Sequence, residues 1–160
     1  MTYACKSIDS PLGALKLVAS EKGLAAILWQ GEHSRVFRSA PVEDADHPVL
    51  VETERQLRAY FAGKLQRFSL PLDFQGTAFQ QSVWQALLTI PFGETRSYAE
   101  IARQIGRPQA VRAVGAANGS NPISIVAPCH RVIGSNGALT GYAGGLAAKQ
   151  HLLGLERGAG

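Results

Sequence analysis

Strand-type and helix-type segments are segregated along this chain, and that segregation constrains its fold more than any other feature. Residues 3–9, 15–20 and 24–29 read as short extended segments, separated by Ser10-Pro11-Leu12-Gly13 and Glu21-Lys22-Gly23, turn chemistry that suits a small antiparallel sheet. From His47 to Ala62 the spacing changes. Val51, Leu57, Tyr60 and Phe61 recur at helical intervals among charged residues, with Gly63 as a stop, so one helix is expected to cover a face of that sheet. The mixed stretch Leu70-Pro71-Leu72-Asp73-Phe74-Gln75-Gly76 marks a boundary. The reading is α+β, with an N-terminal α/β subdomain at residues 1–70 and a helical C-terminal subdomain at 77–158.

With 160 residues, 46% of them hydrophobic, the chain suits one globular unit or two small ones sharing a core, which excludes a long multidomain enzyme. Sixteen Lys and Arg against twelve Asp and Glu leave a net charge of +4, compatible with an anionic partner without requiring one. No apolar run approaches the roughly 20 residues of a membrane span, and the N-terminus lacks a secretory pattern, so a soluble cytoplasmic protein is expected. No repeat, low-complexity tract or heptad register is present, and a monomer is expected.

In the second half, Thr77 can cap a helix to about Leu88 whose stripe is Phe79, Val83, Trp84 and Leu87. Ser97 can cap another, Tyr98 to Ile105; Gly106-Arg107-Pro108 breaks it, and helical spacing resumes from Gln109 to about Asn118. Two short helices joined by a tight turn, with Ile101, Ala102, Ile105, Val111 and Val114 as their shared core, fit a helix-turn-helix or an ordinary helical hairpin. The second helix surrounds Arg112 with Ala110, Ala113, Gly115, Ala116 and Ala117. Small residues let a helix backbone approach a narrow groove, and a lone long cation could enter a base stack beside an extruded nucleotide.

The segment Asn121-Pro122-Ile123-Ser124-Ile125-Val126-Ala127-Pro128-Cys129-His130-Arg131-Val132-Ile133-Gly134 begins as a turn and continues as an apolar, strand-like run. Cys129 beside His130 suggests a thiolate nucleophile with an imidazole as proton acceptor, and Glu156 is the carboxylate that would orient the ring. Neighbouring side chains on an extended strand diverge, so direct contact of Cys129 with His130 needs a turn or a bridging water.

Pro128-Cys129-His130-Arg131-Val132, the upstream Asn121-Pro122 and the downstream Gly141-Tyr142-Ala143-Gly144-Gly145 resemble the O6-alkylguanine-DNA alkyltransferases. The resemblance runs from Thr77 to Glu156 and includes Phe79-Gln80-Gln81-Ser82-Val83-Trp84, Ile90-Pro91-Phe92-Gly93-Glu94-Thr95 and Arg112-Ala113-Val114-Gly115. It implies an RNase H-like N-terminal subdomain, a winged helix-turn-helix in the C-terminal one, and direct-reversal DNA repair without a cofactor. The partner implied is double-stranded DNA bearing alkylated guanine, bound through the minor groove, with O4-alkylthymine as a second candidate substrate. Cys129 would accept the alkyl group. His130 and Glu156 would assist thiolate formation through a water, and Asn121 would brace the turn.

By the same resemblance Tyr98 would serve the guanine ring as proton or hydrogen-bond donor, and Arg112 would replace the extruded base. Ser97, Ala113 and Gly115 would join Arg112 on the DNA face. Tyr142 would pack on the flipped base, with Gly144 beside it in the loop. The N–H of Ala143 would face O6, and the carbonyls of Cys129 and Val132 would read the exocyclic amine. Some relatives carry Ser where this chain has Ala143, so no hydroxyl contact is expected there.

The chemistry is self-consistent: a soft thiolate displaces guanine from an alkyl carbon, and the thioether left behind has no carbonyl for water to attack. Each chain should therefore act once. Some relatives hold zinc in the N-terminal subdomain through two Cys and two His. Here only Cys5, His33 and His47 are available, so no metal is expected. Cys5 is read as a packed strand residue, Phe79, Trp84 and Phe92 as core, and His151 as a helix-surface residue. The alternatives are a non-catalytic lesion binder, against which Cys129 argues, a Cys-His hydrolase, and a transcriptional regulator.

Overall fold

Three short extended segments build the first element. The computed structural model describes residues 2–32 and 40–158. β1 (Ala4–Ser10), β2 (Gly13–Ala19) and β3 (Leu24–Trp29) pair antiparallel in the order expected from their turns. β4 (Val42–Glu43) adds to β1 in parallel, so the order is β3-β2-β1-β4. That short strand was not expected, and it makes the sheet mixed rather than wholly antiparallel.

Register separates two faces. Lys6, Leu17 and Ile27 lie side by side on one of them. Helix α1 (Pro48–Phe61) covers it: Lys6 Nζ meets Glu54 of α1 at 2.6 Å, and Leu50, Leu57 and Tyr60 are fully buried. Cys5, Val18 and Ala26 align on the opposite face, where they join Tyr3 and Ala25 in a buried cluster. His47 caps α1 by accepting from Val49 N–H through Nδ1, and His33 lies outside the described residues. Val51, expected on the apolar stripe, is exposed; Leu50, Thr53 and Gln56 are buried in its place. The helix is rotated so that Gln56 can bond the backbone of Ser69 in both directions, at 3.0 and 2.9 Å.

The chain divides into two units, Met1–Gln75 and Gly76–Gly160. In the second, Thr77 and Gln80 form a reciprocal capping box at α2 (Ala78–Leu87), and Ser97 and Glu100 form another at α3 (Tyr98–Gln104), satisfying backbone donors that open every helix. Gly106 takes φ +76° after α3, a left-handed stop that suits glycine. A turn at 107–110 then delays α4 (Val111–Gly119) by two residues from the expected start at Gln109. Trp84 ties α2 to α4 by donating its indole N–H to Ala117 O at 2.8 Å. Ile101, Ala102 and Val114 form the expected helix-turn-helix core, whereas Val111 is exposed and Ile105 and Phe79 are only half-buried.

The strand-like expectation for the segment before Cys129 is corrected. Residues 124–126 form a turn flanked by bends at Pro122 and Ala127, Ile123 makes a lone β-bridge, Cys129–Arg131 is one 3-10 turn, and the named strand of this stretch is the two-residue β6 (Val132–Ile133), pairing in parallel with β5 (Arg96–Ser97). Pro122 and Pro128 lack the N–H groups that a ladder would use. The run is apolar because it is buried on all sides, from Asn121 to Val132. Helix α5 (Leu146–Gly158) completes the unit.

Candidate active site

The geometry around Cys129 begins with an unusual turn. Ile125 has φ +74°, and Val126 N–H donates across it to Ser124 O at 2.9 Å. That is a γ-turn of the rare kind, in a region costing a β-branched residue about 1–3 kcal/mol. Asn121 holds it closed: its side-chain N–H donates to Ala127 O at 2.8 Å, and its side-chain oxygen accepts from Ile123 N–H at 3.0 Å. Pro128 then turns the chain again, letting Cys129 N–H reach Ala127 O at 2.8 Å. The expected bracing residue thus sits where it spans both bends.

Cys129 is 4% exposed. Burial pushes its thiol pKa up, while a hydrogen bond from Asn121, the positive charge of Lys149 and a hydrogen bond from Ser124 pull it down. On the same 3-10 turn His130 is wholly buried, and its Nε2 lies 2.7 Å from Glu156 on α5. Arg131 donates to both carboxylate oxygens of Glu156, at 2.8 and 3.0 Å, and to Ile90 O at 2.6 Å. Two guanidinium hydrogen bonds keep Glu156 anionic, so the proton between Glu156 and the ring belongs to Nε2. His130 Nδ1 is then the acceptor, and it makes no hydrogen bond to a described residue. Burial drives the imidazole pKa down more than Glu156 raises it; the ring is neutral near pH 7 and able to take a proton.

A second cluster surrounds an open depression of about 590 Å³, lined by Tyr98, Val111, Arg112, Gly115, Gly119, Thr140, Gly141, Tyr142 and Ala143. It gathers α3, α4 and the loop before α5. Tyr98 hydrogen-bonds the Thr140 hydroxyl, and Gly115 passes close to the Tyr98 ring, which a Cβ there would meet at 3.8 Å. The exposure of Val111 follows from this arrangement: it belongs to the rim and not to the helix-turn-helix core.

Five of the expected residues, Tyr98, Arg112, Gly115, Tyr142 and Ala143, therefore share one pocket, and Cys129, His130, Asn121 and Glu156 share one buried centre. Ser97 serves as the α3 cap, Ala113 is exposed on α4 outside the pocket lining, and Gly144 also lies outside that lining. Val132 O already accepts from Lys149 Nζ at 2.8 Å; a carbonyl has a second lone pair for another donor.

Sequence reasoning missed Arg131, Asn118 and Lys149. Asn118 on α4 donates to Cys129 O at 3.4 Å. Lys149 is fully buried although its neighbours Gln150 and His151 are exposed. The signal was available: Lys149, Leu152, Leu153 and Glu156 repeat at i, i+3, i+4 and i+7, one face of a helix. Among the described residues no group of three or more His, Cys, Asp or Glu is placed to hold a metal ion, and no helix is long and apolar enough to cross a membrane.

Two family models match the chain in succession. Residues 3–74 match the ribonuclease-like domain of 6-O-methylguanine DNA methyltransferase, and residues 78–158 match its DNA-binding domain. A methylated-DNA–protein-cysteine methyltransferase of Mycolicibacterium paratuberculosis is 51% identical over 95% of this chain and 91% of its own length. One from Methanosarcina barkeri is 52% identical over 93% of this chain and 94% of its own. Among solved structures, the Mycobacterium tuberculosis O6-methylguanine methyltransferase superposes with a TM-score of 0.90 at 49% identity, covering 99% of this chain and 95% of that one. The Mycobacterium tuberculosis OGT in complex with DNA superposes with a TM-score of 0.88 at 51% identity, covering 99% and 94%.

Proposed function

Because this chain belongs to the 6-O-methylguanine DNA methyltransferase family, we propose that it is a methylated-DNA–protein-cysteine methyltransferase that repairs O6-alkylguanine in duplex DNA by taking the alkyl group onto Cys129. The observation that carries the reading is the buried Glu156–His130 pair on the turn that holds Cys129. It belongs to the same folding unit as a pocket built on the helix-turn-helix.

The steps follow from the groups present. The thiol proton of Cys129 passes to His130 Nδ1, which the fixed Nε2–H leaves as the acceptor; the family resemblance routes it through one water. Thiolate sulfur attacks the alkyl carbon, the S–C bond forms as the O6–C bond breaks, and the electron pair of that bond stays on the purine. Tyr98 gives a proton to the ring so that guanine leaves neutral. Cys129 ends as a thioether that water does not cleave, so the protein is consumed in the reaction.

The damaged base must leave the stack to reach a buried thiol, at a cost of a few kcal/mol. Arg112, exposed on the small-residue face of α4, suits the role of filling the gap, with Gly115 allowing close approach. Tyr142 and Ala143 line the pocket that would take the base. Acting on DNA, the protein is proposed to work in the cytoplasm at the nucleoid. Neither a Cys-His hydrolase nor a non-catalytic lesion binder is favoured: relatives of about half identity over most of the chain are methyltransferases, and Cys129 supplies the nucleophile that a mere binder would lack.

The test is a nucleoside count. Incubation of the chain with an equimolar duplex containing one O6-methylguanine should convert it to guanine one for one, and a second portion of duplex should remain methylated. Continued conversion of the second portion, or none of the first, contradicts the proposal.

A further inference from the structure

Among the described residues that line the pocket, Thr140 carries the one polar side chain to which the mechanism above gives no part. It is exposed, so water can satisfy its hydroxyl, yet that hydroxyl is bonded to the hydroxyl of Tyr98, and either oxygen can be the donor. The backbone on both sides of this contact is held. Tyr98 opens α3 directly after β5, where the pairing of β5 with β6 and the Ser97–Glu100 capping box fix its backbone. Its ring lies beside Gly115 of α4. Thr140 follows a turn that Gly134 N–H closes on Ala138 O at 2.9 Å, and Lys149 Nζ donates to the Thr140 carbonyl at 3.4 Å.

The alkyl-transfer reading, on which this inference rests, makes Tyr98 lose its proton to the purine. The Tyr98 O–H bond breaks, an N–H bond forms on the ring, and a phenoxide remains. The thiol proton meanwhile stands on His130 as imidazolium, so the net charge of the site is unchanged, and water exchange later returns the phenolic proton and removes the imidazolium one. A hydrogen bond to a charged oxygen is roughly twice as strong as one between neutral groups. Among the described residues the Tyr98 oxygen has one partner able to donate it, the Thr140 hydroxyl.

We propose that Thr140 is a positioning residue for the departure of guanine: its hydroxyl holds the Tyr98 hydroxyl at the pocket wall and donates to the phenoxide oxygen as the Tyr98 proton passes to the purine. A rotating hydroxyl suits both states. It accepts from the neutral phenol before a base arrives, and turns its own hydrogen to the oxygen once Tyr98 gives its proton away. Thr140 itself loses no proton.

The experiment compares the full-length parent chain with Thr140→Val, which keeps the shape and loses the hydroxyl, and with Thr140→Ser, which keeps the hydroxyl. The rate of methyl transfer from duplex containing O6-methylguanine is read by rapid quench at saturating protein, and affinity for the same duplex in a Cys129→Ser background. Thr140→Val should slow transfer about tenfold or more with affinity unchanged, whereas Thr140→Ser should stay within about twofold of the parent. Two further readouts separate this role from a loosened loop. Iodoacetamide alkylates Cys129 with iodide as the leaving group, which takes no proton, so Thr140→Val should react there at the parent rate. Added to Tyr98→Phe, which has no phenolic proton to give, Thr140→Val should slow transfer no further. Should Thr140→Val not fold, Thr140→Ala carries the same expectations. The proposal is overturned by a folded Thr140→Val chain that transfers methyl as fast as the parent, by an equal loss toward iodoacetamide, or by an undiminished loss in the Tyr98→Phe chain. A parent chain that takes no methyl from duplex sinks the alkyl-transfer reading itself, and this inference with it.

Discussion

Cys5 and Cys129 are both buried thiols whose ionisation burial opposes, yet their surroundings differ in kind. Cys5 lies on the face of the sheet away from α1, among Tyr3, Val18 and Ala26, with Lys16 and Glu43 acting on it in opposite directions. Cys129 sits on a turn built by an asparagine across two tight bends, with an amide, a hydroxyl and an ammonium all favouring its thiolate. Burial and a thiol do not make a nucleophile; hydrogen bonds to the anion and a counter-charge do.

The largest expected difference between the two is in alkyl uptake. Cys129→Ser should lose all measurable methyl uptake from duplex, whereas Cys5→Ser should still take up one methyl per chain, as intact mass would show. Next comes the support of the turn. Glu156→Gln leaves Arg131 buried without its carboxylate, so urea denaturation should show a loss of about 3–5 kcal/mol, along with a raised pH midpoint for Cys129 alkylation. A variant as stable as the parent would mean that the Arg131–Glu156 pair does not hold the centre.

Arg112 is exposed, so Arg112→Ala should leave the melting temperature unchanged while slowing transfer from duplex about tenfold or more, the equivalent of at least 1.4 kcal/mol. Transfer from the free modified base should be nearly unaffected, and equal losses on both substrates would remove the base-replacing role. A smaller effect belongs to His130. Its pKa is lower in the folded chain than its ordinary 6.5, so the unfolded chain binds more protons below that value, and stability rises with pH through the window beneath about 6.5. Cooling of the melting transition as pH drops from 7 to 5 should be weaker in His130→Gln; an identical slope would show that the ring is not held neutral. Least affected is Cys5→Ala, which should cost about 1 kcal/mol and leave the Cys129 pH profile where it was.

How far the site could be read in advance depended on whether its logic is local. Thr77 and Ser97 with Gln80 and Glu100 three residues on are complete helix starts in four residues, and both appear as capping boxes. Cys129, His130 and Glu156 carried their chemistry in residue type. The turns before Cys129 did not: an apolar run buried on every side has the pattern of a central strand, and only the tertiary frame around Asn121 holds Ile125 at positive φ. Val51 and Val111 were assigned inward because they are apolar, but α1 turns to give Gln56 its backbone partners and Val111 belongs to the pocket rim. Lys149 was passed over because a lysine between Ala148 and Gln150 looks solvated, although its spacing from Glu156 placed both on one helix face. Strand β4 is two residues long, too short to leave a period.

The most direct test of the central claim locates the alkyl group. The chain is incubated with excess duplex containing O6-methylguanine, then weighed intact and mapped by peptide. The account predicts one methyl increment per chain that saturates, carried on Cys129, with Cys5 unmodified. A methyl on Cys5, more than one per chain, or an unmodified chain that still binds the lesion would contradict it.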